Sequence, residues 1–185
     1  LSSVINITQK DGNREKFEGL GSIGLIASRA SVQGPLGNGS FFVGGRRTYL
    51  ELVRAVVPVD ALTGGIPVPN FWFYDVNAKI TQQFGQNDKI SVSAFLSSDD
   101  LKFQSTGLDV NIGIGNQAGS LRWTHIFDEN LFVTTVLSSS AYRNGFDGSN
   151  SGFTFGVENT IRDITGRTDF EWYATNELTF NLGAE

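Results

Sequence analysis

Four stretches of the chain place residues in patterns that chemistry uses. Gly19-Leu20-Gly21-Ser22-Ile23-Gly24 matches the G-x-G-x-x-G fingerprint by letter. That fingerprint cradles a pyrophosphate only where a buried strand precedes it and a helix opens on its last glycine. Here Asn13-Arg14-Glu15-Lys16 precede it and no helical pattern follows, so the glycines read as places where a strand bends or another segment comes close. Residues 147–158, DGSNSGFTFGVE, put an acid first, a glycine sixth and a glutamate twelfth, the skeleton of a calcium loop. Serine stands third and fifth and no helices flank it, so a polar loop tip is preferred and no metal is assigned. Arg46 and Arg47, if extended, point to opposite sides of one strand, and ion pairing is preferred to ligand binding for the inward one. Asp99 and Asp100 likewise diverge and cannot share a substrate. His125, the one histidine, alternates in phase with Trp123 and Phe127, and there is no cysteine. The usual nucleophile–base arrangements are therefore missing. No catalytic residue and no cofactor is assigned, and the chain is not expected to be an enzyme.

Composition narrows what elements could position these groups. Twenty-two glycines, 12% aromatic residues, 18% charged residues and four prolines in 185 residues describe a β-rich chain too hydrophobic to be disordered. No run approaches the ~18 apolar residues of a membrane-spanning helix. The mean hydropathy of -0.11 does not argue against a membrane, because a barrel strand turns only half its residues to lipid. A net charge of -5, a pI near 4.9 and no Lys/Arg cluster argue against a nucleic-acid partner. The absence of cysteine also rules out a disulfide framework. The chain has no methionine and opens on LSSVINITQ without a signal pattern, so it reads as a piece of a longer protein.

The clearest element is NFWFYDVNAKITQQF, residues 70–84, whose even residues are mostly apolar and whose odd residues from Asp75 are polar. That two-residue period is a strand's. From Trp72 to Phe84 the apolar face rises roughly 30 Å at ~3.3 Å per residue and ~40° tilt, about the height of an outer-membrane apolar band with its aromatic girdles. Nine strands are predicted in all, over 17–27, 29–36, 40–52, 70–84, 89–103, 118–127, 131–146, 159–174 and 178–185. Short turns alternate with longer loops at 53–69, 104–117 and 147–158, a two-ended sorting that membrane barrels show. Alternation places Asp75, Asn77, Lys79, Arg122, Arg167 and Asp169 on an inward polar face, and Arg46 is assigned there as the inward arginine of its adjacent pair. It places an aromatic belt of Trp72, Tyr74, Phe84, Trp123, Phe127, Phe170 and Trp172 outward toward lipid. The facing of 40–49 and 131–142 is left open.

LSSVINITQKDGN resembles the last plug strand of TonB-dependent outer-membrane transporters, a segment that typically reads like GGVINITTK. REKFEGLGSIGLIASRASVQGPL, GSFFVGGRRTYLEL, NFWFYDVNAKI and LRWTHIFDENLF, in that order, look like the opening barrel strands of their carboxypeptidase-regulatory-like and SusC-like branch, found in Bacteroidota. The resemblance runs along essentially the whole chain and rests on the order of the pieces. It implies an all-β fold: residues 1–13 end a plug domain, and 14–185 form an antiparallel transmembrane β-barrel segment, nine strands of about 22. It implies an integral outer-membrane protein that imports a scarce nutrient such as an iron chelate, vitamin, glycan or peptide. The implied partners are membrane lipid, the protein's own plug, the nutrient ligand, and the TonB complex, reached through a segment upstream of the chain. The polar inward residues would then hold the plug. Ligand contact would fall on the loops at 53–69, 104–117 and 147–158, with Phe71, Trp72, Asp147 and Asn150 at the mouth. Two other readings are a complete small outer-membrane barrel with a structural or adhesive role and a soluble lipocalin-like ligand-binding barrel.

Overall fold

The computed structural model describes residues 9–56, 69–150 and 152–185. The expected plug strand over 1–8 and most of the expected loop, 57–68, lie outside the described residues. Nine antiparallel strands form one sheet in chain order, each hydrogen-bonded to the next. They are β1 (Glu18–Ile23), β2 (Ala27–Leu36), β3 (Gly39–Thr48), β4 (Asn70–Phe84), β5 (Asp88–Ser105), β6 (Leu108–Ile126), β7 (Leu131–Asn150), β8 (Phe153–Tyr173) and β9 (Thr179–Ala184). One helix, α1 (Leu50–Val56), stands between β3 and β4. β1 and β9 occupy opposite edges, so the sheet is open.

The nine strands and the bounds of β4 agree with the sequence reading; four local expectations do not. The strand expected over 40–52 stops at Thr48, and Leu50–Val56 is helical. Glu51 in the first turn and Arg54 in the last suit the helix dipole, and Glu51 takes a 3.1 Å ion pair from Arg47 four residues earlier. The tight link expected at Ala27-Ser28 lies earlier, where the Gly24 amide donates to the Ala27 carbonyl at 2.9 Å. The loop expected over 104–117 is a hairpin: β5 runs to Ser105, β6 starts at Leu108, and Gly107 turns the chain at φ 80°. The loop expected over 147–158 is likewise the end of β7 and the start of β8, with Gly152 at φ 93°. A side chain with a Cβ adopts such angles only at a cost, which is why glycine stands at both tips. The long loops that seemed sorted to one end are thus mostly longer strands.

Register explains why those tips looked irregular. Pairing of β5 with β6 runs from Asp88↔His125 to Ser105↔Leu108, and β7 with β8 from Leu131↔Trp172 to Asn150↔Phe153, neither slipping by a residue. Opposed residues share a face, so every side chain can be assigned. One face of β8 carries Ile164, Phe170 and Trp172 near the β8–β9 turn but Glu158, Thr160 and Arg162 further up. The other face carries Asp163, Arg167 and Asp169 below and Phe155, Val157 and Ile161 above. β5, β6 and β7 exchange their apolar side at a similar level. The backbone does not bulge; the two faces swap character partway up.

Among the described residues no enclosed core holds this sheet together. Val133 is the one buried hydrophobic residue among those described, and the surface is 13111 Å². A compact water-soluble monomer of 20.1 kDa exposes roughly 8,700 Å² by the usual size scaling. Cohesion comes from the hydrogen-bonded ladder and cross-strand pairs, with both faces left open to further contact.

Candidate functional site

Residues 9–13 cross one face of the sheet, here termed the covered face; the other is the bare face. On the covered face lie Arg46, Asp75, Asn77, Lys79, Arg122, Arg167 and Asp169, as alternation requires once register links them. Arg46 and Asp75, opposed on β3 and β4, form an ion pair, and the Arg46 guanidinium stands 5.1 Å from the centre of the Phe73 ring. Arg167 grips Asp169 two residues on, with Nε and Nη2 donating to the carboxylate at 2.8–3.0 Å. Arg47 points to the bare face beside Tyr74, so the two adjacent arginines divide as expected.

The segment is pinned at its acid. Asp11 accepts an ion pair from Lys79 at 2.6 Å, stands 3.7 Å from Lys89, and is reached by the Thr81 hydroxyl at 3.2 Å. Lys79 also donates to the Gln9 carbonyl at 2.9 Å. Thr81, 1% exposed, bonds on to Ser91 at 3.1 Å. Partial burial pushes the Asp11 carboxyl up, but the bond and charge of Lys79, then the charge of Lys89 and the Thr81 hydroxyl, outweigh it and hold it below the ordinary 3.8. Gly12 lies so close that an added Cβ would collide with the Phe41 carbonyl, a backbone group that cannot step aside. Asp11 lies in the polar cluster Lys10-Asp11-Gly12-Asn13, which by sequence marks no more than a turn. The signal that finds it is the want of any acid beside Lys79, whose covered-face neighbours are Phe42, Asn77, Thr81 and Ser93.

The bare face carries the aromatic set. One register row joins Phe84, Asp88, His125, Val133, Phe170 and Leu182 across six strands beside the short turns. Trp123 and His125 both meet Asp88, at 2.8 and 2.7 Å, and His125 stands edge-on to Phe127 at 4.5 Å. Trp172 stacks on Phe180 at 5.5 Å; at the far end Trp72 stacks on Tyr74 at 6.0 Å.

The expected ligand-contact set does not come together. Phe71 faces the covered side and Trp72 the bare side, because consecutive strand residues diverge. Asp147 is on the bare face of β7, while Asn150 is on the covered-face series at the hairpin tip. Glu158 pairs with Arg143 at 3.1 Å, and with 147–150 and 153–158 on paired strands the calcium-loop skeleton does not form a loop. The covered-face aromatic and aliphatic residues at the tips were missed because their parity is opposite to that of the residues below.

These features define a class: an open antiparallel sheet with a polar face under a docked segment and, on the opposite face, an apolar band bounded by aromatic residues. Compared with known proteins, the chain matches no family model, no curated protein and no solved structure.

Proposed function

We propose that the chain is barrel wall, with the exit of the plug, of a TonB-dependent outer-membrane transporter that imports a scarce nutrient. The observation that carries this reading is the bounded apolar band. On β4 the bare face is apolar from Tyr74 to Phe84 apart from Gln82. Those ten steps span roughly 25 Å at ~3.3 Å each and ~40° tilt, the thickness of an outer-membrane apolar band. From the row of Tyr74 upward the bare face of β5, β7 and β8 carries Ser98, Asp100, Arg143 and Glu158, residues suited to water. A soluble ligand-binding barrel has no cause to limit its outer apolar surface to such a height. In this reading β5–β8, each of 18 to 21 residues, stand well clear of the membrane at their hairpin ends. Residues 9–13, held by Lys79 and Lys89, are where the plug hands the chain to the wall. The polar lining serves plug attachment, and energy arrives through the TonB complex.

Two measurements test this. Membranes of cells making the parent protein, separated by density and probed with an antibody to the β7–β8 hairpin, should carry it in the outer-membrane fraction, resistant to carbonate. Growth on the limiting nutrient should require both the parent and TonB. Recovery of the parent in the soluble fraction would overturn the assignment.

A further inference from the structure

The covered face is unevenly charged. Its flanks carry ions: Arg46, Asp75 and Lys79 on β3 and β4, and Asp163, Arg167 and Asp169 on β8. Between them, from the Ser93↔Ser120↔Ser138 row up to the hairpin tips, β5, β6 and β7 carry a single charged residue on this face, Asp99. At the upper end this strip is apolar, with Leu101, Phe103, Val110, Ile112, Ile114 and Phe146 side by side. Lower down it becomes neutral and polar: Asn116 donates to Ser97 at 3.1 Å, and the Ser93 and Ser120 hydroxyls are hydrogen-bonded at 2.7 Å. It ends in a cavity of about 180 Å³ between Gln9 and the small residues Ser93, Ala118, Ser120, Ser138 and Ser140. The Gln9 side-chain amide nitrogen is buried and has no hydrogen-bond partner.

We infer that this strip is the path of the imported ligand along the wall, and that the ligand is uncharged and amphipathic, with an apolar face and hydrogen-bonding groups. The inference rests on the transporter reading and narrows its substrate class. An extended, half-buried apolar plate on the covered face is a contact surface, since apolar patches left partly open to water mark contact sites. Three features point to a ligand rather than to fixed protein structure. The plate leads past one charge, Asp99 on β5, into short hydroxyl side chains, and β6 and β7 carry none along the way. Those short side chains leave space against the docked segment. An unpartnered amide donor waits at the bottom, where a polar ligand atom would relieve the cost of its burial. A charged chelate or anionic sugar would lose its hydration on the plate without recovering it.

These 185 residues hold no cysteine, so once any cysteine elsewhere in the parent is replaced by serine a direct test is open. Leu101→Cys, Ile112→Cys and Ser120→Cys would be placed singly in the parent protein on intact cells. Each is treated with neutral, anionic and cationic methanethiosulfonate reagents, and rates are normalised to Thr106→Cys at the exposed tip. The neutral reagent should be favoured over both charged ones by about tenfold or more, relative to the tip. Two plate positions guard against the misfolding of either. Comparable normalised rates for all three reagents would overturn the inference. So would failure of all three reagents at Leu101→Cys, Ile112→Cys and Ser120→Cys while the tip reacts, since the strip would then be packed with protein. Loss of tip labelling on intact cells, with reaction only after lysis, would instead sink the transporter reading itself.

Discussion

Lys79 and Asp11 are the residue pair on which the docked segment depends, and their surroundings set both the strength and the pH range of that dependence. The Lys79 side chain is 15% exposed and that of Asp11 39%, so solvent screens the pair in part. Lys79→Ala should therefore weaken docking by about 1 kcal/mol, the upper end for exposed pairs. That is about a fivefold rise in opening, readable as faster amide exchange at residues 10–12 with no change in β7. The pH dependence follows from the lowered Asp11 carboxyl. A folded value below the ordinary 3.8 stabilises docking above that pH and is lost as pH falls through the folded value. Exchange protection at residues 10–12, corrected for intrinsic rates, should be flat from neutrality to about pH 5 and fall progressively below it. Asp11→Asn should remove that step; a step that survives the substitution would assign it to another group. None of this was legible at Asp11 itself, which looks like any turn aspartate. The facing of Lys79 was legible, because strict alternation over 70–84 leaves it no other side.

At the scale of the element, the strands show where alternation informs and where it misleads. β4 was legible to the residue because one solvent acts on each face along most of its length. β6 was not: Val110, Ile112 and Ile114 are even-numbered, Leu121, Trp123 and His125 odd-numbered, and Gly115 and Gly119 intervene. A parity change with glycines between looks like a loop joining two strands, yet the pairing with β5 and β7 continues through it. Periodicity records the environment of side chains, and here the environment changes while the backbone does not. α1 was missed for a different reason: Leu, Val and Ala serve a strand or a helix, and only the Arg47–Glu51 spacing favours the helix. The swap of faces gives a paired prediction. Leu121→Lys, on the bare face within the apolar band, should cost about 2–4 kcal/mol in lipid if it lies near the midplane. Asp109→Lys, at an exposed position on the same face of the same strand above the swap, should cost less than about 0.5 kcal/mol. Denaturant unfolding of the parent in lipid vesicles measures both, and equal costs would place the two positions in one solvent.

For the molecule as a whole, the controlling facts are two unpaired edges and two unsatisfied faces. β1 and β9 each offer a row of unpaired backbone groups, and no bulge or proline protects the described residues of β9. Leu178, Phe180 and Leu182, at 49%, 50% and 72% exposure, stand on the bare face at that edge. In water such a surface seeks another strand and another apolar face, so the isolated chain should not persist as a monomer. Sedimentation velocity in detergent-free buffer should show association or precipitation, and detergent micelles should restore a small species rich in β-structure by circular dichroism. Charged substitutions show whether the edge or the face drives this. Leu182→Lys with Ile164→Lys should reduce association if the bare face dominates. Thr179→Pro, which removes a backbone donor of β9, should reduce it if edge pairing does. A stable water-soluble monomer with native strand content would mean that the open sheet closes on itself, and the apolar band would then need an explanation other than lipid.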